Sequence, residues 1–209
     1  MPLNTVTKPT TAKRGRPTET DPQDLSRVAL DLFERRGFDH VTMEEIAEAA
    51  KVSRRTLFRR FPSKADLVWD GLTAVRDVVR ERASALAGEA PSALLEELFV
   101  PVLRALEEPL AADVARRRLR LIGSSPTLLN HGVLVEIEHE IGKCFSGKKL
   151  PGGAPPALAA RALVAAAFAA LLWWAEYGDE MSALEAVRSA LGATALGATA
   201  LAGPALSAS

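Results

Sequence analysis

Cysteine occurs once in the 209 residues, as Cys144, which excludes a disulfide framework within the chain and fits a reducing compartment. Histidine occurs three times, so there is little material for a protein metal site, and no metal or other cofactor is expected. Aromatic residues make up 5%, whereas alanine is abundant, which favours helices over a β-rich fold. No segment alternates with a period of two. Gly-rich phosphate loops after a strand, nucleophile elbows and triad orders are also missing, so an enzyme is set aside. Glu136-x-x-His139 has the spacing of one half of a di-iron carboxylate site, but the second half is missing. His139 and Cys144 are five apart, off a shared helix face. Met1–Thr20 has no apolar run and is not a secretory signal. Ala157–Ala175 is the single long apolar stretch; it carries Arg161 and is mostly alanine, so a buried helix at a subunit contact fits it better than a membrane span. A cytoplasmic protein with no membrane partner is expected.

Net charge is absent too, with 26 basic and 26 acidic side chains, but their placement is uneven. Residues 1–64 hold 13 basic and 9 acidic side chains, and residues 65–209 hold 13 and 17. A basic front on an acidic body suggests that the front alone meets a polyanion.

Periodicity and punctuation divide the chain into a disordered basic arm (1–20), a small helical domain (21–66), a larger helical domain (67–202) and a disordered tail (203–209). The first helix opens near Asp21–Pro22, shows a stripe through Leu25, Val28, Ala29, Leu32 and Phe33, and stops at Gly37. Thr42 and Glu45 form a capping box for a second helix that breaks at Lys51–Val52. Ser53 caps a third, which Pro62 stops. Ser63 with Asp66 opens a long fourth helix reaching Leu86. Helices are then expected from Pro91–Ser92 to Leu106, over Ala111–Ile122, from Thr127 to Phe145, over Ala157–Tyr177 and over Ser182–Leu201. The fold class is therefore all-α, with about nine helices.

Three short helices, the second and third joined by a tight turn, form a helix-turn-helix pattern. The third presents Arg54, Arg55, Thr56, Arg59 and Arg60 outward, and with Lys64 the stretch 54–64 holds five basic side chains and no acid. Such a helix suits the major groove, where arginine donates two hydrogen bonds to guanine; the plain alternative is a solvated basic face. Thr42-Met43-x-x-Ile46-Ala47-x-x-Ala50-Lys51-Val52-Ser53-x-x-Thr56-Leu57-Phe58-Arg59-x-Phe61-Pro62-Ser63-Lys64-x-x-Leu67 resembles the signature of the tetracycline repressor (TetR) family, over about Leu25–Val68. The resemblance implies a homodimeric transcription regulator, typically a repressor, released from double-stranded operator DNA by a small molecule bound in its C-terminal domain. It implies that Thr42 and Lys64 hold phosphates at helix N-termini. It also implies that Ser53 lies at the DNA and that Arg54, Arg55 and Thr56 meet base edges, with Arg59 and Arg60 nearer the backbone. Lys51 stands where the family often has glycine, so a lysine is expected at positive φ, at a cost of about 1 kcal/mol. Phe58 stands for a frequent tyrosine and brings packing or apolar contact without a hydroxyl. Lys13-Arg14-Gly15-Arg16-Pro17 resembles an AT-hook, with Arg14 and Arg16 suited to a narrow minor groove; a solubilising tail is the alternative.

In the larger domain, Phe99, Val102, Leu106, Leu119, Ile122, Leu128, Trp173 and Trp174 are candidates to line an apolar effector pocket, with His131 or Tyr177 as a polar handle; plain core is the competing reading. Ala160, Leu163, Ala167, Phe168 and Leu171, with Leu184, Val187 and Leu191, are candidates for a four-helix dimer contact, against an intrachain core. The stretch from Pro91 onward resembles, more loosely, regulators with an acyl-CoA-like ligand domain, including mycofactocin-type regulators. Arg116, Arg117, Arg118 and Arg120 then either grip ligand phosphates or pair with Glu107, Glu108 or Asp113 on a wet face. A helical partner-binding module without DNA recognition is the alternative function.

Overall fold

The computed structural model describes residues 22–83 and 95–201. Arg14 and Arg16, the restart at Pro91–Ser92, the expected end of the fourth helix at Leu86 and the tail from 203 lie outside these residues. Among the described residues there are ten α-helical elements, one of them a single turn, together with a π turn, a 3-10 turn and no strand.

Helix α1 (Pro22–Arg36) has a proline in its first turn and ends at Gly37, whose φ of 85° is the left-handed conformation that glycine adopts without a Cβ clash. Helix α2 (Met43–Ala49) opens with the expected capping box: the Glu45 amide donates to Thr42 Oγ1 at 3.3 Å, and the Thr42 amide donates to Glu45 Oε2 at 2.8 Å. The turn after it places Lys51 at φ 55°, the one positive-φ residue other than glycine among those described. Helix α3 (Arg54–Arg60) follows, capped by Ser53 Oγ, which accepts from the Thr56 amide at 3.1 Å. Ser63 and Asp66 form a second reciprocal cap for α4 (Lys64–Ala83).

Beyond α4 two helix expectations need correction. The stretch up to Leu106 is not one α-helix: Leu95–Phe99 is a π turn, and α5 (Val100–Ala105) follows it. The cause is Pro101, which has no N–H to offer the carbonyl four residues earlier. That carbonyl, Glu97 O, instead accepts from Arg82 at 3.1 Å. After α6 (Pro109–Ser124), the helix expected over Thr127–Phe145 is split into a single turn, α7 (Pro126–Leu129), and α8 (Val133–Phe145), with Asn130–Gly132 between them. Helix α9 (Pro156–Tyr177) and helix α10 (Ala183–Leu201) close the fold, the latter behind a Ser182–Glu185 capping box.

Helix α9 packs against α6, α8 and α10, α4 packs against α8, and α1 lies against α2, α4 and α6. One buried cluster runs from Leu25 and Phe33 through Ile46, Leu57 and Trp69 to Ile122, Ile141 and Val164, so the front three helices and the larger body share a core. Trp69, which no sequence stripe included, is fully buried at this seam and donates from Nε1 to Leu128 O at 3.1 Å. A second cluster gathers Leu103, Leu119, Trp174, Leu184 and Val187 at the far end.

Candidate nucleic-acid interface

Helix α3 is held by what it buries. Leu57 is fully buried, and Phe61 follows at its C-cap; both join Ile46 and Ala47 of α2 in the shared core. A seven-residue helix is too short to be stable alone, so this packing and the Ser53 cap fix its direction. The opposite face is open. Arg54, Arg55, Thr56, Phe58, Arg59 and Arg60 are all exposed. Arg55, Arg59 and Arg60 have no ion pair among the described residues, so three guanidinium groups stand in solvent on one rigid element.

The neighbouring groups are already engaged. Arg54 is ion-paired with Glu44 of α2. Thr42, expected to hold a phosphate, donates its hydroxyl to Glu45 Oε2 at 2.9 Å, and Glu45 also meets Arg36 at 2.7 Å. The Glu45 carboxyl is drawn down from 4.5 to about 2, chiefly by the Thr42 backbone N–H and then by Arg36. Lys64, expected in the same role, turns back: its ammonium donates to Phe38 O at 2.8 Å and sits 4.7 Å from the Phe38 ring centroid. Both phosphate-holding side chains named from the resemblance are therefore engaged within the chain. The Ser53 and Thr56 hydroxyls are bonded to each other at 2.8 Å.

The residues expected to line an effector pocket are divided between the two clusters and the surface. Ile122 and Leu128 are fully buried in the first cluster, while Leu119 and Trp174 belong to the second. Phe99, Val102 and Leu106 are half-buried. Trp173 and Tyr177 are exposed and meet outside as a tilted pair, with ring centroids 5.5 Å apart. His131 serves no pocket either: it stacks on Trp69, accepts from the Val133 amide at Nδ1, and places Nε2 3.4 Å from Asp66 Oδ1. Apolar side chains at helical spacing here fill one another's gaps, as core residues do. Open depressions occur elsewhere. One of about 510 Å³ is lined by Arg76, Arg80, Val135, Glu136, His139 and Glu140, and one of about 540 Å³ lies where α8 meets the start of α9.

The candidate dimer residues also face inward. Ala160, Leu184 and Val187 are buried within the protomer, and Leu163, Ala167, Phe168, Leu171 and Leu191 pack half-buried against the two clusters. The exposed stripe of α9 is rotated from them and runs through Leu158, Ala162, Ala165, Ala169 and Trp173. Among the described residues, α9 is the one helix long and apolar enough to cross a membrane.

Three of the four arginines on α6 follow neither reading. Arg117 donates to both oxygens of Glu34 at 2.7 Å and also pairs with Asp31, joining α6 to α1. Arg116 donates to Gly178 O at 2.6 Å and Asp179 Oδ1 at 3.1 Å and lies over the Trp174 ring. Arg120 donates to Ala175 O at 2.7 Å, so these two arginines satisfy carbonyls at the end of α9, where a helix leaves them unpaired. The Glu34–Arg117 link spans 83 residues, and no local spacing rule reaches that far. Glu136 pairs with Arg76 at 2.9 Å, and no group of three metal-ligating side chains occurs among the described residues.

Residues 25–69 match the family model described as bacterial regulatory proteins, tetR family. Over 61 residues the chain is 43% identical to the putative mycofactocin biosynthesis transcriptional regulator MftR of Mycobacterium tuberculosis, covering 29% of this chain and 31% of that protein. Over 110 residues it is 33% identical to the HTH-type transcriptional regulator TcmR of Streptomyces glaucescens, covering 50% of this chain and 49% of the relative. The chain thus spans a third to a half of the length of these curated relatives. Its fold is similar to that of Thermus thermophilus FadR, a repressor solved with lauroyl-CoA (TM-score 0.52, 24% identity, 82% of this chain and 91% of the other). It is also similar to SmeT, the repressor of the Stenotrophomonas maltophilia efflux pump SmeDEF (TM-score 0.59, 17% identity, 83% and 89%).

Proposed function

We propose that the chain, whose residues 25–69 match the tetR family of bacterial regulatory proteins, is a TetR-family transcriptional repressor that seats α3 in the major groove of operator DNA. One observation carries the reading: Arg55, Arg59 and Arg60 stand exposed, without ion pairs among the described residues, on a short helix whose other face is locked into the core. A solvated basic face needs no such rigid mounting. A DNA reader does, because base-edge hydrogen bonds demand fixed geometry. Its place of work is then the cytoplasm, where the DNA is.

The same proposal includes a homodimer and a palindromic operator. The exposed α9 stripe supplies an apolar, small-residue face on which a second copy can approach closely, and the described outer face of α10 adds Ser189, Gly192 and Ala193. A two-fold axis along it sets two α3 helices roughly 34–36 Å apart, one turn of DNA. A small-molecule effector completes the reading. The phosphate grip weighed for an acyl-CoA-like molecule loses three of its four arginines, because Arg116, Arg117 and Arg120 are all bonded within the chain.

Fluorescence anisotropy with duplexes from the protein's own upstream region, at two salt concentrations, tests the reading. Replacing Arg55, Arg59 and Arg60 together by alanine is expected to abolish binding at the higher salt and to flatten the log–log salt slope by about 0.9 for each phosphate left without its arginine. Equal binding by the triple variant sinks the assignment in favour of a partner-binding module.

A further inference from the structure

Among the arginines of α6, Arg118 alone has no hydrogen bond among the described residues. Its Nε is buried and unpartnered, and the nearest carboxylate oxygen, Asp70 Oδ2, stands 3.8 Å from Nη2, beyond hydrogen-bond reach. The side chain is 15% exposed, and burial pulls its pKa below the ordinary guanidinium value against the opposing charge of Asp70. A guanidinium carries five N–H donors in a planar fork that matches carboxylate or phosphate, and taking it from water without partners is costly.

The fold makes room for this group. Gly71 of α4 faces the guanidinium, and a Cβ at that position would come within 2.6 Å of Nη1. Glycine is the poorest residue for a helix interior after proline, and Gly71 is not at positive φ. Two unfavourable choices, a bare helix position and a cation short of partners, therefore meet at one point between α4 and α6. Asp70 does not complete the fork, since its Oδ2 also accepts from Ser26 Oγ of α1 at 3.3 Å. Ser26 is the one polar residue that is buried among those described.

We propose, resting on the regulator reading above, that Arg118 is the anion anchor of an effector site between α4 and α6. It takes the carboxylate or phosphate head of a small molecule on the donors that Asp70 leaves unfilled.

The full chain is melted in acetate, decanoate or inorganic phosphate and in chloride at matched ionic strength. At least one of the three anions is expected to raise the wild-type midpoint by a few degrees over chloride. Arg118→Met loses that rise, while its own midpoint in chloride stays level with wild type or above it, because a buried charge short of partners is gone. Gly71→Ala, which keeps the charge and crowds the fork, reduces the rise. Should the methionine variant not fold, Arg118→Gln replaces it, with the same loss expected. Which anions act separates a carboxylate head from a phosphate head. No rise in wild type for any of the three, or a rise that survives Arg118→Met, overturns the site. These readings need no DNA: an Arg118-dependent rise in a protein that ignores every duplex fells the regulator and keeps the site. DNA binding without that rise does the reverse.

Discussion

Arg54 reaches DNA only by leaving Glu44, and the cost of that exchange can be worked out. The two side chains are 67% and 46% exposed, so their pairing belongs with surface ion pairs, worth about 0.2–1 kcal/mol. In the proposed dimer the pair breaks twice, and the total is about 0.4–2 kcal/mol. Glu44→Gln removes this cost from the unbound state and removes a carboxylate from beside the phosphates. The variant should therefore bind operator about 2- to 30-fold more tightly at low salt, at 1.4 kcal/mol per tenfold. The gain should shrink as salt rises, since both contributions are screened. The assay is anisotropy on a duplex that the wild type binds, with wild type, Glu44→Gln, Arg54→Ala and the double variant. In the double variant the gain should largely disappear, because no arginine remains to be released. Weaker binding by Glu44→Gln at low salt refutes the reasoning and makes Glu44 a positioning group that aims Arg54 at its base.

Arg117→Ala breaks a half-buried link from α6 to α1 and should cost about 1–2 kcal/mol, lowering the midpoint of thermal unfolding by about 2–8 °C; Glu34→Gln added to it should cost less than the sum of the two. Glu45 has a depressed pKa, so its contribution to stability is full above pH 4.5 and is lost as pH falls through about 2. The gap in urea midpoint between wild type and Glu45→Gln should accordingly close over that interval. Ala165→Glu, on the exposed stripe of α9, should give monomers by light scattering. Leu184→Ala, buried within the protomer, should lose about 2–5 kcal/mol and keep the wild-type mass.

What the sequence made legible was local. Three N-terminal caps, at Thr42, Ser53 and Ser63, depend on residues three apart, and each forms the bonds its spacing implies. Lys51 at positive φ was equally legible, through the resemblance, because the family often has glycine at that place. The outward face of α3 followed from one buried leucine in seven residues. The body was harder, for two physical reasons. Helix α9 is apolar nearly all round, so periodicity cannot set its phase, and the candidate dimer stripe fell on the face that packs inside. The α6 arginines find partners in α1 and at the end of α9, contacts between elements distant in sequence. Pro101 was visible in the sequence, but its effect depends on whether a donor such as Arg82 can reach the orphaned carbonyl, which is a tertiary matter.

The indole of Trp69, bonded to Leu128 O and stacked between His131 and Phe168, has a consequence for anyone wishing to exchange parts among such proteins. Cutting after α4 begins would strip this rivet of its far wall, since Leu128, His131 and Phe168 all lie beyond the cut. The head is therefore not a portable cassette: grafted onto a foreign body it would need a replacement for the 128–131 ledge, and chimeras should be joined beyond that ledge rather than at the start of α4.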